Sequence, residues 1–137
     1  MGAFLTDLHT HLLPSVDDGA RTFREAARHL EDAHRDGVRE VVLTPHLDAS
    51  TLTARRMEAL VELHRSVLAD LRDWCRDLGG VPALTLGHEL LARCGNDAER
   101  ALDVEGTGLG SSSWVLVEFG FDVPGRPIEV IRTLREG

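Results

Sequence analysis

Short apolar runs alternate along this chain with longer stretches in which apolar residues recur at helical spacing. A strand repeats every two residues and an α-helix every 3.6, so the runs read as strands and the stretches as amphipathic helices. Phe4-Leu5-Thr6-Asp7-Leu8 is the first predicted strand. Thr22-Phe23-Arg24-Glu25 has capping-box spacing, and Phe23, Ala26, Ala27, Leu30 and Ala33 then follow helical periodicity up to Gly37, where a helix end commonly turns. Glu40 to Thr44 predicts a second strand, stopped by Pro45 just before His46. From about Thr53 to Leu78 a long helix is predicted, with Met57, Leu60, Val61, His64, Leu68, Leu71 and Cys75 on one face and Gly79-Gly80 closing it. Ala83 to Leu86 reads as a third strand running into Gly87-His88-Glu89. Leu90 to Ser113 carries mixed signals: a turn or short helix around Asp97–Leu102, then a Gly/Ser-rich loop. Trp114 to Phe119 is the clearest strand, and Pro127 can open a last helix over Ile128–Leu134.

Strand–helix alternation predicts an α/β fold of mostly parallel strands joined by right-handed crossovers. In such folds ligands gather at the carboxyl ends of the strands. His9, His11, His46, Glu89 and Glu118 all fall at or just past predicted strand ends. Along a strand Asp7, His9 and His11 would share one face, and an acid behind two imidazoles can hold a ring N–H and fix its tautomer. Each residue also has a plainer reading. A His-x-His pair can be solvated, Asp17-Asp18-Gly19 is an ordinary turn sequence, and His46 after Thr44-Pro45 can be a loop histidine. Glu89 and Glu118 differ, because each interrupts an apolar strand, where a carboxylate needs a cation or a partner to offset its desolvation. His29, His34 and His64 fall on helices, where packing or solvated roles are commoner; alternation aims His88 away from the face of Glu89. It is the shared position at strand ends, not any one spacing, that points to a metal-dependent hydrolase.

Composition narrows this further. A 137-residue chain with 42% hydrophobic and 28% charged residues suits one soluble globular domain. A net charge of −8 argues against a nucleic-acid partner, which needs a basic stripe. All 15 basic residues are Arg, so a catalytic Lys, a Schiff base and a P-loop are excluded. Cys75 and Cys94 make no disulfide framework and suit a reducing compartment. No apolar run approaches the roughly 20 residues of a membrane span and no signal peptide leads the chain, so no membrane insertion and a cytoplasmic location are expected. Cys94 to Arg100 has the Cys-x5-Arg spacing of cysteine-dependent phosphatases, yet Asp97 and Glu99 within that loop would repel a phosphate and raise the thiol pKa.

Taken in order, Asp7-Leu8-His9-Thr10-His11, Asp17-Asp18-Gly19-Ala20, Thr44-Pro45-His46, Gly87-His88-Glu89 and Val117-Glu118-Phe119 resemble the polymerase-and-histidinol-phosphatase (PHP) superfamily. Within it, the run Leu12 to Ala20 is most similar to the metal-dependent protein-tyrosine phosphatases of bacterial capsule and exopolysaccharide regulation. The resemblance implies the N-terminal portion of a distorted (β/α) PHP-type barrel with a multinuclear cluster at the carboxyl ends of its strands. It makes His9, His11, Asp18, His46, Glu89 and Glu118 metal ligands, Glu89 bridging two ions and Asp17 capping its turn. Imidazole with carboxylate favours manganese, with iron or zinc as alternatives, over calcium. The nucleophile would be metal-activated water, with no catalytic side chain beyond it. The implied substrate is a phosphotyrosine protein, in particular a bacterial tyrosine kinase of polysaccharide synthesis, and a homo-oligomer is compatible. The alternatives are a small-molecule phosphatase such as a histidinol phosphatase, or a non-catalytic fragment that binds metal or a partner. The family also carries a later His-Pro-Glu-Arg and an Asp-x-His that these residues lack, so 1–137 is expected to be a single, incomplete domain. Its sheet should end in an unpaired edge after Trp114–Phe119, with Val115 and Val117 meeting water.

Overall fold

The computed structural model describes residues 4–120 and 125–136. Its elements run β1 (Leu5–Thr10), α1 (Phe23–Arg35), β2 (Val38–Leu43), β3 (His46–Asp48), α2 (Ala54–Cys75), β4 (Ala83–Leu86), β5 (Glu89–Leu91), α3 (Gly95–Leu102), β6 (Leu116–Glu118) and α4 (Pro127–Glu136). The helices begin where the sequence places them. Thr22 accepts from the Glu25 N–H at the start of α1, and the Glu25 carboxylate returns to the N–H of Arg21 rather than to that of Thr22. Thr53 accepts from Arg56 N–H at the start of α2. Gly37, at φ +100°, takes the left-handed turn after α1.

All strand pairs are parallel, in two three-stranded sheets of order β1-β2-β4 and β3-β5-β6. The sheets are joined end to end. β2 continues through Thr44-Pro45 into β3, and β4 through Gly87-His88 into β5. The ladder crosses these bends through Thr44 N–H to Thr10 C=O (2.8 Å), Gly87 N–H to Leu43 C=O (2.8 Å) and Glu89 N–H to Pro45 C=O (3.1 Å). The second bend is tightly packed: a Cβ on Gly87 would lie 2.9 Å from Leu109 Cδ2 and 3.0 Å from Val42 Cγ1. β3 and β5, both three residues long, were not expected as strands, although His46 and Glu89 were expected at strand ends.

One irregularity matters for the site. Asp7 pairs with Val41 but Thr10 with Leu43, so β1 carries one extra residue between them. Such a bulge breaks the two-residue alternation. The expectation that Asp7 shares a face with His9 and His11 rested on unbroken alternation, which β1 does not have.

α1 and α2 bury Ala26, Ala27, Leu30, Leu68, Leu71 and Cys75 against Val41, Leu43 and Leu84 of the first sheet. Met57 and Val61 of α2 pack with Leu47 and Leu90 beneath the second sheet. Val130 of α4 packs on Ala92 and Ala98, joined by Val117 and Phe119. β6 bonds to β5 alone among the described strands, as an edge should, yet Val115 and Val117 are half-buried because the clusters cover one side. Apolar side chains are also exposed at the opposite edge, where Leu5 and Leu8 of β1 are each 54% exposed. Among the described residues no helix is long and apolar enough to cross a membrane.

Candidate metal centre

The register of the second sheet assembles the centre. His46 sits opposite Glu89, and Leu91, two residues further along the same face, sits opposite Glu118. His46, Glu89 and Glu118 therefore share one side of the sheet. β1 delivers His9 and, one residue past its end, His11. Glu89 Oε2 is the hub: His9 Nε2, His11 Nε2 and His46 Nδ1 each lie 3.2 Å from it. Glu118 Oε2 lies 3.7 Å from His46 Nδ1, and Asp18 Oδ1 lies 3.4 Å from His46 Nε2. Glu89 is buried, while His9 and His46 are nearly half exposed, so the donors form an open shelf with their carboxylate at its floor.

Asp17 and Asp18 divide the turn between them. Asp18 reaches the rim at His46 but is 81% exposed. Asp17 does what a turn aspartate does, accepting from Gly19 N–H at 3.1 Å, and also holds His11 Nδ1 at 2.7 Å and accepts from His46 N–H at 3.3 Å. Burial would raise the Asp17 pKa, but the bonds from His11, Gly19 and His46 and the charge of His11 hold it below the ordinary carboxylate range. The acid that holds a ring N–H is thus Asp17, whereas Asp7 accepts from the backbone N–H of His9 at 3.1 Å. No local spacing signals this, because the contact exists only once the 12–20 loop has folded back, with Ala20 N–H donating to His11 C=O.

The donor set suits a cation. Asp17 accepts from His11 Nδ1, which leaves Nε2 as the atom turned to the shelf. His11 Nε2 lies 3.2 Å from both Glu89 Oε2 and His9 Nε2, imidazole nitrogens gathered round one carboxylate as metal ligands are. Two donors held about 2.1 Å from one ion at tetrahedral-to-right angles stand roughly 3.0–3.4 Å apart, the spacing found here. Three groups have donor atoms within 4.8 Å of one another: His9, His11 and Glu89; His46, Glu89 and Glu118; His11, Asp17, Asp18 and His46. They share His11, His46 and Glu89, so the shelf can take more than one ion.

Two further histidines are buried behind the shelf. His64 Nδ1 and His88 Nε2 lie 3.0 Å apart, and His88 Nδ1 lies 2.9 Å from Gly106 C=O. Burial, then the neighbouring charge of His64, pushes His88 down to about 4 against the Gly106 bond; burial also lowers His64. Helical spacing placed His64 on the buried face of α2, but nothing in it announced a partner 24 residues away. The cysteines stand apart from the donors. Cys75 is buried, which raises its thiol pKa. Arg100 is engaged by Asp97 at 2.8 Å and by Ala49 C=O at 3.1 Å, so the Cys-x5-Arg spacing forms no anion cradle.

Residues 5–133 match the sequence model of the family described as capsular polysaccharide synthesis, CpsB/CapC. The chain belongs to the CpsB/CapC family. Tyrosine-protein phosphatase YwqE of Bacillus subtilis (strain 168) is 24% identical over 121 residues, which are 86% of this chain and 44% of that protein. Tyrosine-protein phosphatase CpsB of Streptococcus agalactiae serotype V is 40% identical over 42 residues, 31% of this chain and 17% of that protein. A solved structure, from work on YwqE of Bacillus subtilis and CpsB of Streptococcus pneumoniae described as metal-dependent tyrosine phosphatases, superposes with a TM-score of 0.77. At 24% identity it covers 96% of this chain and 51% of its own, and shows that the fold is shared. The chain spans about half the length of these CpsB/CapC relatives.

Proposed function

We propose that this chain carries part of a metal-dependent phosphoesterase site whose substrate is phosphotyrosine in protein, a bacterial tyrosine kinase of polysaccharide synthesis being the expected partner. The observation that carries the reading is the convergence of three imidazole nitrogens on Glu89 Oε2 at 3.2 Å, with Asp17 holding the far nitrogen of His11. Family membership and the tyrosine-phosphatase names of its relatives support it. His9, His11, His46, Asp18, Glu89 and Glu118 would hold the ions, with Glu89 placed to bridge. The mixed imidazole and carboxylate set suits manganese, iron or zinc. Bound divalent ions supply Lewis-acid charge and lower the pKa of water, so no side-chain nucleophile is required. Within the chain, Asp17 fixes the tautomer and orientation of His11, and the carboxylates offset the charge of the ions. The tyrosine-phosphatase names of the relatives favour phosphotyrosine over a small monoester such as histidinol phosphate.

The test is phosphate release from phosphotyrosine peptides with added Mn²⁺, by this chain and by a full-length family protein carrying its residues, alongside a metal count. Release abolished by EDTA and by His11→Ala is expected. EDTA-insensitive release refutes the metal mechanism, and fewer than two ions per chain refutes a cluster built by these residues alone. Preference for histidinol phosphate moves the substrate to the small-monoester class.

A further inference from the structure

Glu89, the hub of the donor set, is presented by a bend rather than by an unbroken strand, so something must hold that bend. Gly87 closes one side of it, packed so tightly against Val42 and Leu109 that a Cβ would press on both. On the other side His88 points away from the shelf and reaches two separate elements. A carbonyl only accepts, so the 2.9 Å contact with Gly106 C=O requires the proton on His88 Nδ1. In the neutral ring His88 Nε2 is then an acceptor, and His64 Nδ1, 3.0 Å away on α2, is its donor. The order of protons is thereby fixed: His64 donates to His88, and His88 donates to Gly106.

The far end of this chain of bonds is itself constrained. Gly106 has φ +93°, a backbone region that side chains disfavour, and a Cβ there would lie 3.1 Å from Val61 Cγ1 of α2. Thr107, also buried, donates to the Ala101 and Val104 carbonyls at 3.1 and 3.2 Å, which ties the loop to the end of α3. His88 and His64 are 0% and 2% exposed, so water does not compete for these bonds. One imidazole thus joins α2, the β4–β5 bend and the α3–β6 loop, and its backbone leads directly into Glu89.

We infer that the buried His64–His88–Gly106 hydrogen-bonded chain is a positioning device for Glu89, holding its carboxylate where the three shelf imidazoles converge. The inference rests on the metal reading above and adds to it two residues that touch no ion. A rigid support of this kind matters because donors a few tenths of an ångström out of place lose metal affinity.

The experiment separates positioning from mere packing. Replacing both rings by apolar side chains of similar bulk, His64→Leu with His88→Met, removes both members of the ring–ring bond and leaves one acceptor, the part-buried Gly106 carbonyl, without its donor, a loss expected to lower the unfolding temperature modestly rather than prevent folding. The parent and the double variant are compared in metal-free thermal unfolding and in Mn²⁺ titration followed by the signal of free Mn²⁺. The double variant is expected to unfold within a few degrees of the parent while binding Mn²⁺ at least about 10-fold more weakly, as loss of outer supports typically does. Equal Mn²⁺ affinity in a folded double variant overturns the inference and leaves the metal reading standing. A parent that binds no Mn²⁺ overturns both. Nitrogen-15 spectra of the metal-free parent give an answer that depends on no variant: His88 must show a protonated Nδ1 and an unprotonated Nε2, and the opposite tautomer refutes the assignment.

Discussion

Gly19 is the position at which one added carbon should damage both fold and site. A Cβ there would lie 1.8 Å from His11 C=O oxygen, 2.5 Å from His11 Cβ and 2.7 Å from its carbonyl carbon. These are largely backbone atoms, and the 12–20 loop is bound on both sides of them. Ala20 N–H donates to His11 C=O at 2.9 Å, Ser15 N–H to Ala20 C=O at 2.8 Å and Gly19 N–H to Asp17 Oδ1 at 3.1 Å. An ordinary carbon–oxygen contact is about 3.2 Å or more, so Gly19→Ala must move the two segments apart by roughly 1.4 Å. Overpacking of that kind costs about 1–3 kcal/mol, and loss of the Ala20–His11 bond about 1 more, for an expected destabilisation of about 2–4 kcal/mol. The displacement falls on His11 itself, far outside the roughly 0.2 Å tolerance of a metal ligand, so Mn²⁺ affinity should fall by at least about 10-fold. Urea unfolding of the metal-free protein and Mn²⁺ titration at a denaturant-free plateau measure the two effects separately. Gly79→Ala is the control: a Cβ there meets nothing within 4 Å and should change stability by less than about 0.5 kcal/mol. A Gly19→Ala protein matching this control in stability and the parent in Mn²⁺ affinity would refute the close packing of the loop against His11.

Two other perturbations probe regions away from the shelf. Asp97 accepts from the Arg93 and Cys94 N–H groups and pairs with Arg100; burial would raise its pKa, but these bonds together hold it below its ordinary 3.8. Its stabilisation is therefore present above 3.8 and lost as pH falls through the lowered native value, so Asp97→Asn should cost about 1–2 kcal/mol at pH 7 and progressively less in acid; a cost constant down to pH 2 contradicts the ionic account. Trp114, 76% exposed, borders with Ile131 and Leu134 an apolar cleft of about 420 Å³ beside the β6 edge, so Trp114→Arg should slow aggregation on heating while leaving the unfolding free energy within about 0.5 kcal/mol. Unchanged light scattering would discount that patch.

What could be read from the sequence was what local chemistry decides. The cap at Thr22, the buried face of α2 from Met57 to Cys75 and the start of α4 at Pro127 depend on residues within one or two helical turns, and the structure has them all. His46 and Glu89 do follow β2 and β4, as the topology of parallel strands implies, but each opens a further strand, β3 or β5, rather than ending one. β3 and β5 were invisible because three residues after Pro45 or His88 have no periodicity of their own; β3 is a strand because it pairs with β5, and β5 because it pairs with β3 and β6. The bulge in β1 escaped for the same reason, being a mismatch with β2 rather than a property of Leu5–Thr10. Asp7 accepts from the His9 backbone N–H, and the carboxylate that holds an imidazole nitrogen is Asp17, from a loop whose fold depends on a glycine contact. The proposed donors were named from motifs and their resemblance to a family, whereas the hold of Asp17 on His11 and the His64–His88 pair exist only as contacts made on folding. A chain that kept all six donors but lost these supports would still read as the same site in sequence, and would hold its imidazoles and carboxylates too loosely to act as one.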